Sequence, residues 1–133
     1  PVWSSANVSG IDLNRYCHLQ GGEDHDAEMQ KIYESVRDSA YEIISRKSAT
    51  YYGIAMAVGR IAECIVKDEH SILPVSVALA GQYGLSNLAL SVPSIVGKNG
   101  VEKVLEIPLS ESENAALHAS AAQMREVIKT LDL

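Results

Sequence analysis

From Ala27 onward the apolar residues recur at helical spacing. Met29, Ile32, Tyr33, Val36, Ala40, Ile43 and Ile44 step by 3, 1, 3, 4, 3 and 1. That rhythm is one stripe of a long amphipathic helix. Arg46 and Lys47 close it, cations suited to a helix C-terminus. A second helical pattern runs from Tyr51 to about Lys67, with Ile54, Val58, Ile61, Ala62 and Ile65 as its stripe. Ala55, Ala57 and Gly59 are small residues that let a neighbouring backbone come close. The polar run Lys67-Asp68-Glu69-His70 ends this helix.

The apolar period then changes. Ile72 to Ala80 is nearly continuous in apolar residues, which predicts a strand covered on both faces. Pro74 belongs at an edge or a bulge, because it cannot donate to a ladder. Gly81-Gln82-Tyr83-Gly84 is a turn. Asn87 to Val92 alternates, with Leu88, Leu90 and Val92 on one face, and Pro93 to Val96 continues the run. Gly97-Lys98-Asn99-Gly100 contains Asn-Gly, a strong hairpin signal. Val101 to Ile107 returns as a third strand, with Leu105 and Ile107 inward. Ser110-Glu111-Ser112-Glu113 is a capping box, Ser first and Glu three residues later. Leu117, Ala121, Met124, Ile128 and Leu131 form the stripe of the helix it opens. The order α-α-β-β-β-α predicts an α+β fold, long helices packed on a small antiparallel sheet, in a single domain over residues 1–133.

Composition narrows the function classes. Apolar residues make up 47% of the chain, enough for a core, and with no Phe that core is largely aliphatic. A net charge of −6 argues against nucleic acid and against an anionic membrane surface, both of which need clustered cations. There is no apolar run of the roughly 18 residues that would span a bilayer, and no signal-peptide pattern. Cys17 and Cys64 read as reduced thiols, consistent with a cytoplasmic location. The chain begins at Pro1 without a Met, so it is expected to be processed or a piece of something longer.

The search for chemistry returns little. Residues 1–26 are irregular apart from a possible short helix at Leu13 to Leu19. Gly21-Gly22-Glu23-Asp24-His25-Asp26 reads as a solvated acidic loop rather than a metal site, since adjacent side chains rarely converge on one ion. No metal site is expected elsewhere. None of the four histidines is followed by Asp and a nucleophile at a useful spacing. The nucleophile elbow, the zinc-protease helix and the dinucleotide fingerprint are all missing. What remains is the seam between the two helical patterns, Ser48-Ala49-Thr50-Tyr51-Tyr52-Gly53-Ile54-Ala55. There the Thr50 hydroxyl either caps the second helix or bonds a ligand carboxylate or carbonyl.

The seam resembles the C-terminal half of the bacterial enzymes of the lactate/malate dehydrogenase family. So do Pro1-Val2-Trp3-Ser4, Ser39-Ala40-Tyr41, Gly81-Gln82-Tyr83-Gly84, Val92-Pro93-Ser94-Ile95 and the run from Asn99 to Leu109. The likeness covers essentially the whole chain. Thr-Tyr-Tyr-Gly-Ile looks like the L-lactate branch; malate enzymes more often have Ala-Tyr-Tyr-Ala-Pro there.

The resemblance implies an NAD-dependent enzyme interconverting pyruvate and L-lactate, with an N-terminal Rossmann half that binds NAD. It places the catalytic His, its Asp partner and two substrate arginines upstream of the matched segment, so no catalytic residue is expected in this chain. Thr50 corresponds to the threonine beside the substrate carboxylate, and Ser39 and Ala40 to small pocket-wall residues. Ile54 corresponds to the apolar residue against the nicotinamide ring. Tyr41 corresponds to a tyrosine on the mobile helix, a candidate for phosphorylation. The implied partners are other subunits of a homo-oligomer, a tetramer in the parent enzyme. The chain alone is expected to be inactive. A malate dehydrogenase C-terminal domain and a non-enzymatic oligomerisation module are the alternatives. One departure is Ser48, where the bacterial pattern usually has Gly; a positive φ there would strain a serine.

Overall fold

The computed structural model describes residues 1–21 and 25–131. Gly22, Glu23 and Asp24, the centre of the expected acidic loop, lie outside the described residues. The chain divides into two compact units, Pro1–Ala57 and Val58–Leu133.

The first unit opens with a small antiparallel hairpin, β1 (Asn7–Val8) and β2 (Ile11–Asp12), which sequence reasoning did not find. Its two loop residues, Ser9 and Gly10, both have positive φ, at 53° and 81°. That is the backbone of a hairpin turn whose twist matches the strands it joins. Ser-Gly was the available signal. Helix α1 (Leu13–Leu19) follows as expected, capped by the Asp12 side chain accepting from the Arg15 N–H. Helix α2 (His25–Lys47) carries Arg46 and Lys47 in its last turn. Helix α3 (Tyr52–Val66) begins in the first unit and ends in the second.

The second unit holds a three-stranded antiparallel sheet in the order β3-β4-β5: β3 (Ser71–Ala80), β4 (Ser86–Gly97) and β5 (Gly100–Val104). Helix α4 (Glu111–Lys129) follows. The expected covering of β3 on both faces is not what the fold provides. Leu73, Val75, Val77 and Leu79 turn inward, while Ile72, Pro74, Ser76 and Ala78 are exposed. The strand therefore alternates like any antiparallel strand with one solvated face, and its apolar continuity comes from residues on the open side. Pro74 does lie on an edge strand, as its missing N–H requires.

The pairing places inward residues opposite each other: Val75 with Val92, Val77 with Leu90, Leu79 with Leu88. These side chains build a core of Leu79, Leu85, Leu88, Val92 and Ala121, with Val104 and Leu117 packed against it. Ala121 is fully buried; its small side chain lets α4 approach this core closely. The predicted capping box stands: the Ser110 Oγ accepts from the Glu113 N–H at 3.2 Å, and the Glu113 carboxylate accepts from the Ser110 N–H at 2.8 Å. In the β4–β5 hairpin the loop residues are Lys98 and Asn99, and Gly100 alone takes positive φ, at 87°. So Asn-Gly supplies a left-handed glycine after the turn rather than the two turn residues themselves.

The third strand stops at Val104 instead of running to Ile107, and Pro93 supplies the reason. The Leu105 N–H donates to the Pro93 carbonyl at 2.8 Å, so the ladder reaches that far. Pro93 has no N–H to return to the Leu105 carbonyl. The Tyr83 hydroxyl takes over, donating to the Leu105 carbonyl at 3.3 Å and accepting from the Ile107 N–H at 2.9 Å. The Tyr83 N–H donates to the Glu106 carboxylate at 2.7 Å, which helps hold Tyr83 at an otherwise unfavourable φ of 54°. Tyr83→Phe therefore leaves a carbonyl and an N–H without their partner and is expected to destabilise the chain by about 1–3 kcal/mol in urea unfolding. A loss near zero would show that this hydroxyl is not what replaces the ladder.

The end of α3 is tied down by charge. Arg60 bridges to Glu69 at 2.6 Å and reaches the Ser71 hydroxyl at 3.1 Å. The Arg60 guanidinium, then the Ser71 hydroxyl, hold the Glu69 carboxyl below its ordinary range. The Lys98 backbone N–H, with His70 and the Lys98 ammonium helping, does the same for Asp68. Both groups are more acidic folded than unfolded. Their contribution is present above the ordinary carboxylate values of about 4 and is lost as pH falls through the lower folded values. Thermal midpoints are expected to drop as pH falls below about 4.5, and Glu69→Gln to flatten that slope; a parallel slope in the variant would count against the Arg60–Glu69 pair.

Candidate functional site

The seam between α2 and α3 is built by one left-handed residue. The Ser48 N–H closes α2 by donating to the Ile44 carbonyl at 2.7 Å, and Ser48 then takes φ 65°. This is the position a C-terminal glycine fills in many helices, since a Cβ there crowds the backbone. The strain expected from the Gly-to-Ser departure is thus present.

Helix α3 starts later than the seam's threonine suggested. The Ala55 N–H donates to the Tyr51 carbonyl at 2.8 Å, the first bond of the helix. The cap position therefore belongs to Tyr51, and Thr50 stands one residue outside it. The capping role considered for Thr50 is set aside on that geometry. Thr50 is half-buried, and among the described residues its hydroxyl takes no hydrogen-bond partner. A side chain that offers one donor and two lone pairs is left available. Tyr51 and Tyr52 follow with ring centroids 4.9 Å apart, and the Lys47 ammonium lies 6.0 Å over the Tyr52 ring.

Ser39, Ala40 and Tyr41 are consecutive on α2 and exposed. Successive helical residues point about 100° apart, so the three do not share one direction. The Ser39 hydroxyl is already spent, donating to the Val36 carbonyl at 2.7 Å. Tyr41 is 74% exposed. Ile54 lies on the first turn of α3 and is 59% exposed. The fold thus puts Thr50 and Ile54 at the start of one helix and the other three on the helix before it.

The apolar stripes that defined these helices are exposed over most of α2 and over the first half of α3, while Ile61 and Ile65 further along α3 are half-buried. Ile32, Val36, Ile43 and Ile44 on α2 are exposed, as are Met56 and Val58 beyond Ile54 on α3. Cys64 behaves differently. It is fully buried, and its thiol donates to the Val96 carbonyl at 3.0 Å, a packing role. Among the described residues no helix is long and apolar enough to cross a membrane.

Sequence reasoning missed one cluster. It treated Lys67-Asp68-Glu69-His70 as a helix terminator, whereas the fold sets Asp68 and His70 beside Glu102 of β5. No periodic signal marks such a meeting of distant segments.

Comparison with known proteins is consistent along the whole chain. The profile of the lactate/malate dehydrogenase alpha/beta C-terminal domain matches residues 1–132. The L-lactate dehydrogenase of Acetivibrio thermocellus is 53% identical over 136 residues, covering 99% of this chain and 42% of that protein. The L-lactate dehydrogenase of Thermoanaerobacterium saccharolyticum is 49% identical over 132 residues, with coverage of 99% and 42%. In crystal, the ligand-bound minor L-lactate dehydrogenase of Enterococcus mundtii superposes with a TM-score of 0.92 at 36% identity, over 99% of this chain and 42% of that one. A lactate dehydrogenase from a Medee basin deep-sea metagenome library gives 0.94 at 37% identity, with the same coverage. The chain thus spans about 42% of the length of these relatives.

Replacing Ser48 by glycine removes a left-handed Cβ that costs about 1–2 kcal/mol but adds glycine's unfolded-state entropy of about 0.5–1 kcal/mol. Ser48→Gly is therefore expected to be stabilising, by up to about 1 kcal/mol in thermal or urea unfolding. Destabilisation would show that the seam does not hold this residue left-handed in solution.

Proposed function

Because the chain belongs to the lactate/malate dehydrogenase family through its alpha/beta C-terminal domain, we propose that it forms the substrate side of an NAD-dependent L-lactate dehydrogenase. The observation that carries this reading is the 53% identity to an L-lactate dehydrogenase over 99% of the chain. The reaction is pyruvate plus NADH and a proton to L-lactate plus NAD. The Thr-Tyr-Tyr-Gly-Ile seam favours lactate over malate.

Thr50 positions the substrate: its free hydroxyl donates to the pyruvate carboxylate. Ser39 and Ala40 supply small walls, and the committed Ser39 hydroxyl leaves that residue a matter of shape. Ile54 presents an apolar face to the nicotinamide ring, and its exposure in this chain fits a surface that a cofactor covers. NADH supplies the hydride; this chain carries no glycine-rich dinucleotide motif and contributes only that apolar wall. The proton donor and the carboxylate-binding cations come from a preceding NAD-binding half. Tyr41, on α2 and well exposed, is open to phosphorylation. The open stripes of α2 and α3 pack against that half and against other subunits of a cytoplasmic homo-oligomer, a tetramer in the parent enzyme.

The purified 133-residue chain is expected to show no pyruvate-dependent NADH oxidation above background; turnover near that of an intact relative would overturn the reading. In an enzyme that carries this chain behind its cofactor half, Thr50→Val should lower kcat/KM for pyruvate by about 10- to 100-fold, the loss of one hydrogen bond to a charged group. An unchanged kcat/KM would remove Thr50 from the pocket. Sedimentation of the chain should show a dimer or larger species, since its open apolar stripes need cover; a monomer across a wide concentration range would count against assembly through them.

A further inference from the structure

We propose that Asp68, His70 and Glu102 form a surface site for a divalent transition-metal ion of the Zn2+ class. The ligands come from the α3–β3 connection and from β5. Asp68 and His70 both take left-handed φ, 51° and 54°. Glu69 between them turns to Arg60 and Ser71. The other two side chains are left facing the β4–β5 hairpin. Glu102 is the extra residue of a bulge, since Val96 pairs with Val101 and Ile95 with Lys103. Bulges re-aim side chains, and this one brings the Glu102 carboxylate 3.1 Å from the His70 Nε2. Gly97 forms the floor. A Cβ there would lie 2.6 Å from Glu102 Oε1 and 3.0 Å from Asp68 Oδ1. A side chain at this position would crowd both carboxylate ends.

The hydrogen-bond inventory of His70 points to a cation. Its Nδ1 lies 2.9 Å from the Asp68 carbonyl oxygen and 3.6 Å from the Asp68 Oδ1. Its Nε2 faces Glu102 Oε2. Both ring nitrogens therefore look at oxygen acceptors, and a neutral imidazole has one N–H. Nδ1–H donating to a backbone carbonyl is the arrangement that orients a metal-binding imidazole and leaves the Nε2 lone pair outward. Two lone pairs then meet at Nε2 and Glu102 unless a proton or a metal ion lies between them.

The three donor atoms already lie within 4.8 Å of one another. Bonds of about 2.0–2.2 Å to Zn2+ need donors about 3.3 Å apart, so side-chain rotation closes the set. The side chains are 36%, 52% and 26% exposed, which gives that freedom and leaves room for a water as fourth ligand. One nitrogen with two carboxylates selects first-row divalent ions over Ca2+ and Mg2+, which take oxygen. The Lys98 ammonium, 3.7 Å from Asp68 Oδ2, is 67% exposed and free to swing out.

The test is a calorimetric titration of ZnCl2 into the metal-free full chain, with thermal unfolding in parallel. One saturable site is expected, and Zn2+ should raise the melting temperature. His70→Asn and Glu102→Gln should each weaken binding by at least about tenfold, since loss of even a supporting group costs about 10- to 100-fold. His118→Asn, at an exposed position of α4, should leave binding unchanged. Circular dichroism confirms folding, and the exposed Glu102→Gln keeps the test decisive if His70→Asn misfolds. Absence of saturable binding, or equal affinity in folded Glu102→Gln and His70→Asn, would overturn the proposal and leave His70 as an imidazolium bridging two carboxylates.

Discussion

The ladder between β3 and β4 is the constraint on which the second unit depends. It pairs the strands from Ser71 opposite Val96 to Ala80 opposite Ser86. Side chains alternate across a strand, so a slip of β3 by one residue would send Leu79 with Val75 and Val77 to the solvent face. Two proline residues, Pro74 and Pro93, stand opposite each other within it, each without an N–H. The ladder tolerates Pro74 because β3 is an edge strand, and on the other side of β4, toward β5, Tyr83 supplies the donor that Pro93 withholds from Leu105. The same turn that holds Tyr83 delivers Leu85 to the core. Register, turn and core are thus one problem with one solution.

The first unit has a different economy. Its long helix α2 contains no fully buried residue, although its sequence has a clear apolar stripe. The stripe is real, but within the first unit most of it stays exposed. Relatives of which this chain spans about 42% are L-lactate dehydrogenases, and a surface of this kind suits contact with the remainder of such an enzyme. The substrate wall assigned to Thr50 and Ile54 belongs to the same logic. A half-buried hydroxyl without a partner among the described residues and an exposed isoleucine at a helix start have little stabilising purpose in isolation. They suit a pocket completed from outside.

Much of the fold was legible because helical and strand periods are local. The stripe from Met29 to Ile44, the alternation from Leu88 to Val92 and the Ser110–Glu113 box each became the element they predicted. What escaped was set by single hydrogen bonds between distant residues. The end of β5 follows from Pro93, whose effect on Leu105 is invisible until the two are neighbours. The open face of β3 escaped because an apolar run does not say which of its faces will be covered. The hairpin at Ser9-Gly10 was missed although its turn residues were present, because strands of two residues leave no period to read.

The candidate site divides along the same line. Sequence likeness alone nominated Thr50, Ile54, Ser39, Ala40 and Tyr41, since a family pattern needs no coordinates. It also singled out Ser48 as the residue to watch, and the left-handed backbone at that position bears this out. Only the tertiary structure moved the cap of α3 to Tyr51, spent the Ser39 hydroxyl on Val36 and brought Glu102 against His70. By itself, then, the sequence determined the long helices, the three-stranded sheet, their order and the family, because those are written in local period and motif. The folded chain alone decided which polar groups are left without partners, because that depends on where distant segments meet.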